Sequence, residues 1–244
     1  MSSFVVEFPE VRGINRMRMP EPEPQKKVIS EPYEVTARLA QLGVPENILR
    51  HAAEAAITGY NACTPHHPRP YAGLRFWAEG IKDLRDSLVA HPFEWHIDDD
   101  DNLPFVVNKA GTVAIMVATG DAATGKENEE PCTNSPKGPR TKAAVDRNEF
   151  QFSLFPDAHL MPEELEKHKK MGCMTFLLLM HRDSQSQEVR RELSRPKAMD
   201  ENSRVNGWIE RIILKSLPFT GQSVESVPEV PRTPEIDVPV KKRA

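Results

Sequence analysis

The chain has 244 residues, with 32 basic and 36 acidic side chains and a formal net charge of -4 at pH 7. This length is enough to bury a core without cross-links, and three widely separated cysteines, Cys63, Cys132 and Cys173, exclude both a disulfide framework and a cysteine-rich metal knuckle. The nearly balanced charge excludes a global field that attracts nucleic acid or an anionic membrane.

The first residues carry acids and Pro9 where a secretory signal needs a basic stretch followed by an apolar one. The longest apolar run, from Met174 to Met180, is far shorter than the roughly 20 residues that a membrane-spanning helix requires. We therefore expect a soluble, cytoplasmic protein with reduced cysteines and no membrane partner.

Both ends of the chain are rich in proline. Residues 1–32 place four prolines between Pro20 and Pro32 amid charges, which is typical of an extended arm or linker. Residues 218–244 repeat the pattern from Pro228 to Pro239. We expect this tail to be disordered, and the alternative is docking on a partner protein as an edge strand or a polyproline stretch.

Residues 33–90 predict three helices. The first spans Tyr33–Leu42, has apolar residues on one face and stops at Gly43, a residue type that tolerates the left-handed conformation after a helix. The second begins near Pro45 and runs to Gly59, and the third covers Gly73–Ala90 with apolar residues three and four apart. We expect these helices to form a three-helix unit.

Beyond His91 the hydrophobic pattern changes to short, β-branched or alternating segments that predict seven strands. The segment Thr175–Ser194 predicts a hairpin with a polar turn. Because few of these segments are separated by a stretch of helix length, we expect a mainly antiparallel sheet and a single α+β domain over residues 33–217, with residues 91–217 as its sheet part. The predicted strands are Phe93–Ile97, Phe105–Asn108, Thr112–Ala118, Glu149–Leu154, Thr175–His181, Glu188–Ser194 and Trp208–Ser216.

Residues 119–147 interrupt the strands with glycines, prolines and charges, and a loop of this length is usually functional or disordered. The stretch from Gly120 to Lys126 matches the first seven positions of a phosphate-binding P-loop, which makes Gly120, Gly125 and Lys126 candidate binding residues. Glu127 stands where a hydroxyl should bind Mg²⁺, and Pro131 prevents the helix that should follow. We therefore expect a flexible glycine-containing loop and no nucleotide site.

Asp121 and Glu149 border two predicted strands, as the metal-binding acids of two-metal nucleases do, although Gln151 replaces the usual lysine. Asp98 lies in an acidic run and is a further candidate metal ligand, and His181, at the end of an apolar strand, is a candidate catalytic residue. This interpretation predicts a nuclease or related hydrolase that uses Mg²⁺ or Mn²⁺. The alternative is a solvated acidic turn, a capping role for the histidine and no cofactor.

The first two predicted helices, joined by Leu42-Gly43-Val44-Pro45, have the turn of a helix-turn-helix. Arg50 on the second helix is then a candidate DNA-binding residue. The same helix also carries Glu46 and Glu54, which would repel phosphates. Simple packing of a helical hairpin is the alternative.

Four further segments are considered together: Thr119-Gly120-Asp121, Thr124-Gly125, Glu192-Leu193-Ser194 and the stretch from Gly207 to Leu214. Together they resemble a group of uncharacterised bacterial proteins, and the resemblance covers Tyr33 to Leu217. The group is associated with integrative or phage-related regions, so the resemblance implies a role in mobile-element biology or phage defence. It supplies no active-site residues.

Three functions follow as hypotheses. The first is a non-enzymatic cytoplasmic component that binds one or more protein partners, with nucleic acid as a further possible ligand. The second is the metal-dependent nuclease or hydrolase, and the third is the helix-turn-helix regulator. The absence of a complete catalytic motif and the long polar loop favour the first.

Overall fold

The computed structural model describes residues 26–90, 95–99, 103–154 and 173–219. These residues form an α+β structure with four helices and one seven-stranded sheet. The helices are α1 (Pro32–Leu42), α2 (Glu46–Asn61), α3 (Tyr71–Val89) and α4 (Pro139–Leu154). The strands are β1 (Lys27–Ile29), β2 (His96–Asp98), β3 (Phe105–Val107), β4 (Val113–Thr119), β5 (Met174–Asp183), β6 (Glu188–Met199) and β7 (Val205–Pro218).

The three predicted N-terminal helices are confirmed as elements, each within about two residues of its expected ends. Helix α1 ends at Gly43, whose φ of 69° is left-handed, as its position after the apolar stripe predicts. All three helices bury their apolar stripes on one face of the sheet, where α1 lies against β7 and α2 lies against α3 and β6. An independent three-helix unit is therefore not confirmed.

The sheet is mixed, with the strand order β1-β7-β6-β5-β4-β3-β2. Among the strands described, four neighbouring pairs are antiparallel, and the pairs β1/β7 and β4/β5 are parallel. The predicted hairpin of β5 and β6 is confirmed. The expectation of a mainly antiparallel sheet missed both parallel pairs. The β4/β5 pair was missed because the helix between these strands was not recognised, and the β1/β7 pair because β1 was not predicted as a strand.

That helix is α4, and the predicted strand Glu149–Leu154 is wrong. Buried side chains recur along α4 at helical spacing, at Thr141, Ala144, Val145 and Asn148. The Asn148 amide fixes the helix to the sheet: it donates to the carbonyl oxygens of Thr175, at 2.9 Å, and of Pro196 in β6, at 3.2 Å. The connection predicted over residues 119–147 is consequently a shorter loop, residues 120–138, followed by a helix.

The predicted arms are also shorter than expected. Residues Lys27–Ile29 form the edge strand β1, and Ile29 is only 2% exposed. At the other end, Pro218 closes β7 and Phe219 is buried against Tyr60. The remaining parts of both predicted arms, residues 1–25 and 220–244, lie outside the described residues, as do residues 100–102 of the acidic run.

Two hydrophobic cores share the sheet. In β5 the side chains alternate, so that Phe176, Leu178 and Met180 join the core under α1–α3, and Leu177 and Leu179 join the core under α4. Because β4 and β5 are parallel, their carboxyl ends lie at the same edge: β4 ends at Thr119, which pairs with Met180, and β5 continues to Asp183. Carboxyl ends of parallel strands are a common place for ligand sites.

Candidate functional site

A cavity of about 200 Å³ lies at the carboxyl ends of β4 and β5. The strand ends contribute Thr119, Gly120, Met180, His181 and Arg182. The other walls come from the end of α2, the first turn of α3 and the loop after β4, through Tyr60, Gly73, Phe76 and Asn134. We call this cavity the strand-end cavity.

The His181 ring has a fixed orientation in this cavity. Its Nδ1 lies 3.0 Å from the carbonyl oxygen of Gly120. Because a carbonyl oxygen can only accept, Nδ1 carries the proton, and Nε2 of the neutral ring keeps its lone pair. Within the described structure Nε2 has no hydrogen-bond partner, so it is available to accept a hydrogen bond from a ligand or, when protonated, to donate one.

The Arg182 guanidinium is held without a carboxylate. Its central carbon lies 4.3 Å from the ring centroid of Tyr60 and 5.3 Å from that of Phe219, and Nη1 donates to the Ser184 hydroxyl at 2.8 Å. No described carboxylate oxygen lies within 4.0 Å of it. Arg190 on the adjacent strand contrasts with this, because it pairs with Asp183 at 2.7 Å.

The first turn of α3 adds positive charge to the same cavity. The first amides of a helix have no acceptor within the helix, and no side chain caps α3. Gly73, in this turn, lines the cavity, and a Cβ at this position would have no neighbour within 4 Å. The cavity lining described here contains no carboxylate, so Arg182, His181 and the helix terminus together favour an anionic ligand.

The loop between β4 and α4 is held to the sheet by buried charges. Glu192 and Arg211 form an ion pair in which both side chains are fully buried. The Glu192 carboxylate accepts a hydrogen bond from the Gly125 amide at 2.8 Å and one from the Ser194 hydroxyl at 2.7 Å. Arg211 donates to the carbonyl oxygens of Lys126, at 3.0 Å, and Glu129, at 2.6 Å. This loop, which was predicted to be flexible, is therefore held to the sheet by hydrogen bonds.

This geometry explains why the P-loop pattern does not make a phosphate site. The amide of Gly125, one of those that would face a phosphate, donates to the Glu192 carboxylate. Lys126 pairs with Glu129 at 2.8 Å, and no helix follows it directly. Of the candidate binding residues, Gly120 reaches the strand-end cavity, whereas Gly125 and Lys126 take part in the loop attachment.

The candidate metal ligands are not brought together as predicted. Asp121 accepts a hydrogen bond from the Ala123 amide at 3.1 Å and thereby stabilises its own turn, and Glu149 lies on α4. Asp98 is 3.9 Å from Arg140. Within the described part of the chain, no group of three or more His, Cys, Asp or Glu side chains could hold a metal ion. The two-strand arrangement of acids that motivated the nuclease hypothesis is not formed.

Arg50 lies on α2 with its side chain 41% exposed. Its guanidinium is 2.9 Å from the Glu54 carboxylate, which partly cancels its charge. Helix α2 also buries Leu49 and Ala53 against the sheet and α3. The helix pair therefore packs on the sheet through this face, and the helix-turn-helix hypothesis stays a prediction.

Sequence reasoning identified His181 and Gly120 separately, and the structure places them in contact. It missed Arg182, Tyr60 and Gly73. One available signal was the His-Arg pair directly after an apolar strand, because the end of a buried strand is where polar ligand-binding residues often begin.

Comparison of the chain with models of protein families, with curated proteins and with solved structures found no match. In the described residues no helix is long and apolar enough to cross a membrane. The chain is assigned to no family on these grounds, and its function is inferred from the site itself.

Proposed function

We propose that this protein is a binding protein that receives an anionic group of a protein partner, a carboxylate of an acidic segment, in the strand-end cavity. The observation that carries this proposal is the Arg182 guanidinium, which lies without a described carboxylate beside the first turn of α3 and the oriented His181 ring. A carboxylate at this position would gain charge-assisted hydrogen bonds from the guanidinium.

The size of the cavity favours one group of a large ligand over a complete small molecule. Its volume of about 200 Å³ lies below the roughly 300–1,000 Å³ of typical small-molecule sites. Phe76 and Met180 supply apolar wall beside the cationic group. A side chain or chain end with a short apolar stem and a terminal carboxylate fits this combination.

The polar groups are also held before a ligand arrives. The stacking of Arg182 on Tyr60 and the contact of His181 with Gly120 restrict both side chains. Less conformational entropy is then lost on binding. The described lining contains no serine, no cysteine and no carboxylate; its hydroxyl groups are those of Thr119 and Tyr60 and its candidate base is His181, and we interpret it as a binding site.

The test uses a displayed library of short peptides in three matched sets: acidic with a free C-terminus, acidic with an amidated C-terminus, and neutral. We expect the wild-type protein to select acidic peptides, and Arg182→Gln to weaken the selected peptides by about tenfold or more, the value of a lost charge-assisted hydrogen bond. The amide resonance of Gly73 should shift on titration with a selected peptide.

Arg204→Gln is the matched control, because Arg204 is exposed at the turn between β6 and β7, away from the cavity. It should bind like the wild type. The proposal is wrong if Arg182→Gln folds normally and selects the same peptides with the same affinity, or if neutral peptides bind equally well.

The mobile-element or phage-defence setting is a separate proposal that rests on the sequence resemblance alone. An adjacent nuclease, ATPase or toxin gene would support it, and a protein encoded beside this chain would be the first source of acidic segments to test.

A further inference from the structure

A second, larger cavity of about 550 Å³ lies between the first part of α4, with the residues just before it, and the end of β6, with the turn that follows it. Three lysines line it, Lys137 just before α4, Lys142 in α4 and Lys197 in β6. Four acidic residues also line it, Asp146, Glu149, Asp200 and Glu201. This α4 cavity shares none of its lining residues with the strand-end cavity.

Lys137 differs from the other lysine on the α4 side. Lys142 is exposed, and its amine binds both carboxylate oxygens of Asp146, at 2.9 and 2.8 Å. Lys137 is partly buried, and no described carboxylate oxygen lies within 4.0 Å of its amine, even though acidic residues line the same cavity. Its main chain is fixed, because its amide donates to the Ser203 carbonyl oxygen at 2.7 Å.

An amine in this position has the properties of a nucleophile. Partial burial without a counter-charge disfavours the ammonium form and lowers the pKa of Lys137. The neutral amine, which carries the reactive lone pair, is therefore more abundant at neutral pH than for an exposed lysine. The cavity provides room beside it for a small molecule, since its volume falls in the range typical of ligand sites.

We propose that Lys137 forms an imine with a small aldehyde or ketone that carries an anionic group and binds in the α4 cavity. The neutral Nζ attacks the carbonyl carbon, and a C–N bond forms as the carbonyl π electrons move to oxygen. A proton passes from nitrogen to that oxygen, and the carbinolamine then loses water as the C–O bond breaks and the C=N bond forms. Nothing is oxidised or reduced.

The neighbouring residues fit this step. Glu149 and Asp200 lie on the cavity walls, where a carboxyl group can move the proton from nitrogen to the departing oxygen. Lys197 lines the same cavity and has no described carboxylate within 4.0 Å, so Lys197 is the side chain that would pair with a phosphate or carboxylate group of the carbonyl compound.

The experiment labels the full chain with pyridoxal 5′-phosphate at pH 7.5, reduces the imine with borohydride and maps the modified lysines by mass spectrometry. We expect Lys137 to be labelled faster than the exposed Lys215, by about tenfold for each unit by which its pKa is lower. Lys137→Arg should remove this labelled peptide and keep the fold, as circular dichroism would show. Labelling of Lys137 no faster than Lys215 would overturn the proposal.

The ligand class is tested by repeating the labelling with pyridoxal, which lacks the phosphate. We expect Lys197→Gln to slow labelling of Lys137 by the phosphorylated aldehyde and to leave labelling by pyridoxal unchanged. Equal effects on both aldehydes would overturn the assignment of Lys197 to an anionic group. Because the strand-end cavity has a different lining, Arg182→Gln should leave Lys137 labelling unchanged.

Discussion

The buried ion pair of Glu192 and Arg211 links two neighbouring strands to the loop that precedes α4. Burying two charges costs desolvation energy, which is offset only when both groups find several partners. Here Glu192 accepts from an amide, a hydroxyl and the guanidinium, and Arg211 also donates to two loop carbonyls. The pair therefore stabilises the loop as well as the sheet.

We expect Glu192→Gln to destabilise the protein by about 3–5 kcal/mol, because the fully buried Arg211 loses its counter-charge. Urea denaturation at pH 7 measures the change, and hydrogen exchange of the Gly125 amide should accelerate. Asp86→Asn, in the exposed pair of Lys82 and Asp86, is the control and should have little effect. Similar losses for both variants would contradict the prediction.

Lys137 should reduce stability at neutral pH. Well below its lowered pKa the amine is charged in the folded and the unfolded protein, and the folded state bears the cost of desolvation. Between that lowered pKa and the ordinary value of 10.5 the unfolded state binds more protons, so stability increases with pH. Lys137→Met should accordingly be more stable than the wild type at pH 7, with an advantage that shrinks as the pH rises toward 10.5.

Urea denaturation of both proteins between pH 6 and pH 10 measures this difference. The exposed Lys215→Met should show no such trend. If the stability difference between Lys137→Met and the wild type stays constant over this pH range, burial does not lower the pKa of Lys137 as proposed.

Among the elements, α3 contains two glycines with opposite surroundings. A Cβ at Gly73 would have no neighbour within 4 Å, whereas one at Gly80 would lie 2.9 Å from the Met180 methyl carbon. Gly73→Ala should stabilise the protein by about 0.5–1 kcal/mol, because alanine has less backbone freedom in the unfolded chain. Gly80→Ala should gain less stability than Gly73→Ala, since the buried Met180 methyl group must move.

Thermal denaturation of the two variants gives the comparison directly. If Gly73→Ala is more stable than the wild type, the fold does not require glycine at this position. This result is expected if Gly73 serves to keep the strand-end cavity open. If Gly73→Ala is less stable than the wild type, the fold itself requires this glycine, and Gly73 no longer supports a ligand site in the strand-end cavity.

The sequence was most informative for elements with a strong local period. Helices α1–α3 could be predicted because apolar residues such as Val35, Leu39 and Leu42 recur on one face and Gly43 marks an end. Helix α4 could not, because the alternation of Phe150 and Phe152 imitates a strand. Strand β1 is three residues long and is defined by its partner β7, which no local pattern reveals.

At the scale of the whole molecule, the sheet separates two sites that local sequence could not assemble. The strand-end cavity joins β4, β5, α2 and α3, and the α4 cavity joins α4 with β6 and the turn after it. Only His181 and Gly120 of the first cavity and Glu149 of the second were predicted as site residues. Asp121 and Glu149 were grouped wrongly because the parallel crossover through α4 was missed.

The attachment of the loop also has a consequence for synthesis on the ribosome. Gly125 is held by a side chain 67 residues later, and the carbonyl of Lys126 by one 85 residues later. At about 5–20 residues per second, translation needs on the order of 3–17 s to supply those side chains. Until Arg211 has left the exit tunnel, the ion pair that binds the loop cannot form. We therefore expect the loop to attach to the sheet late in folding.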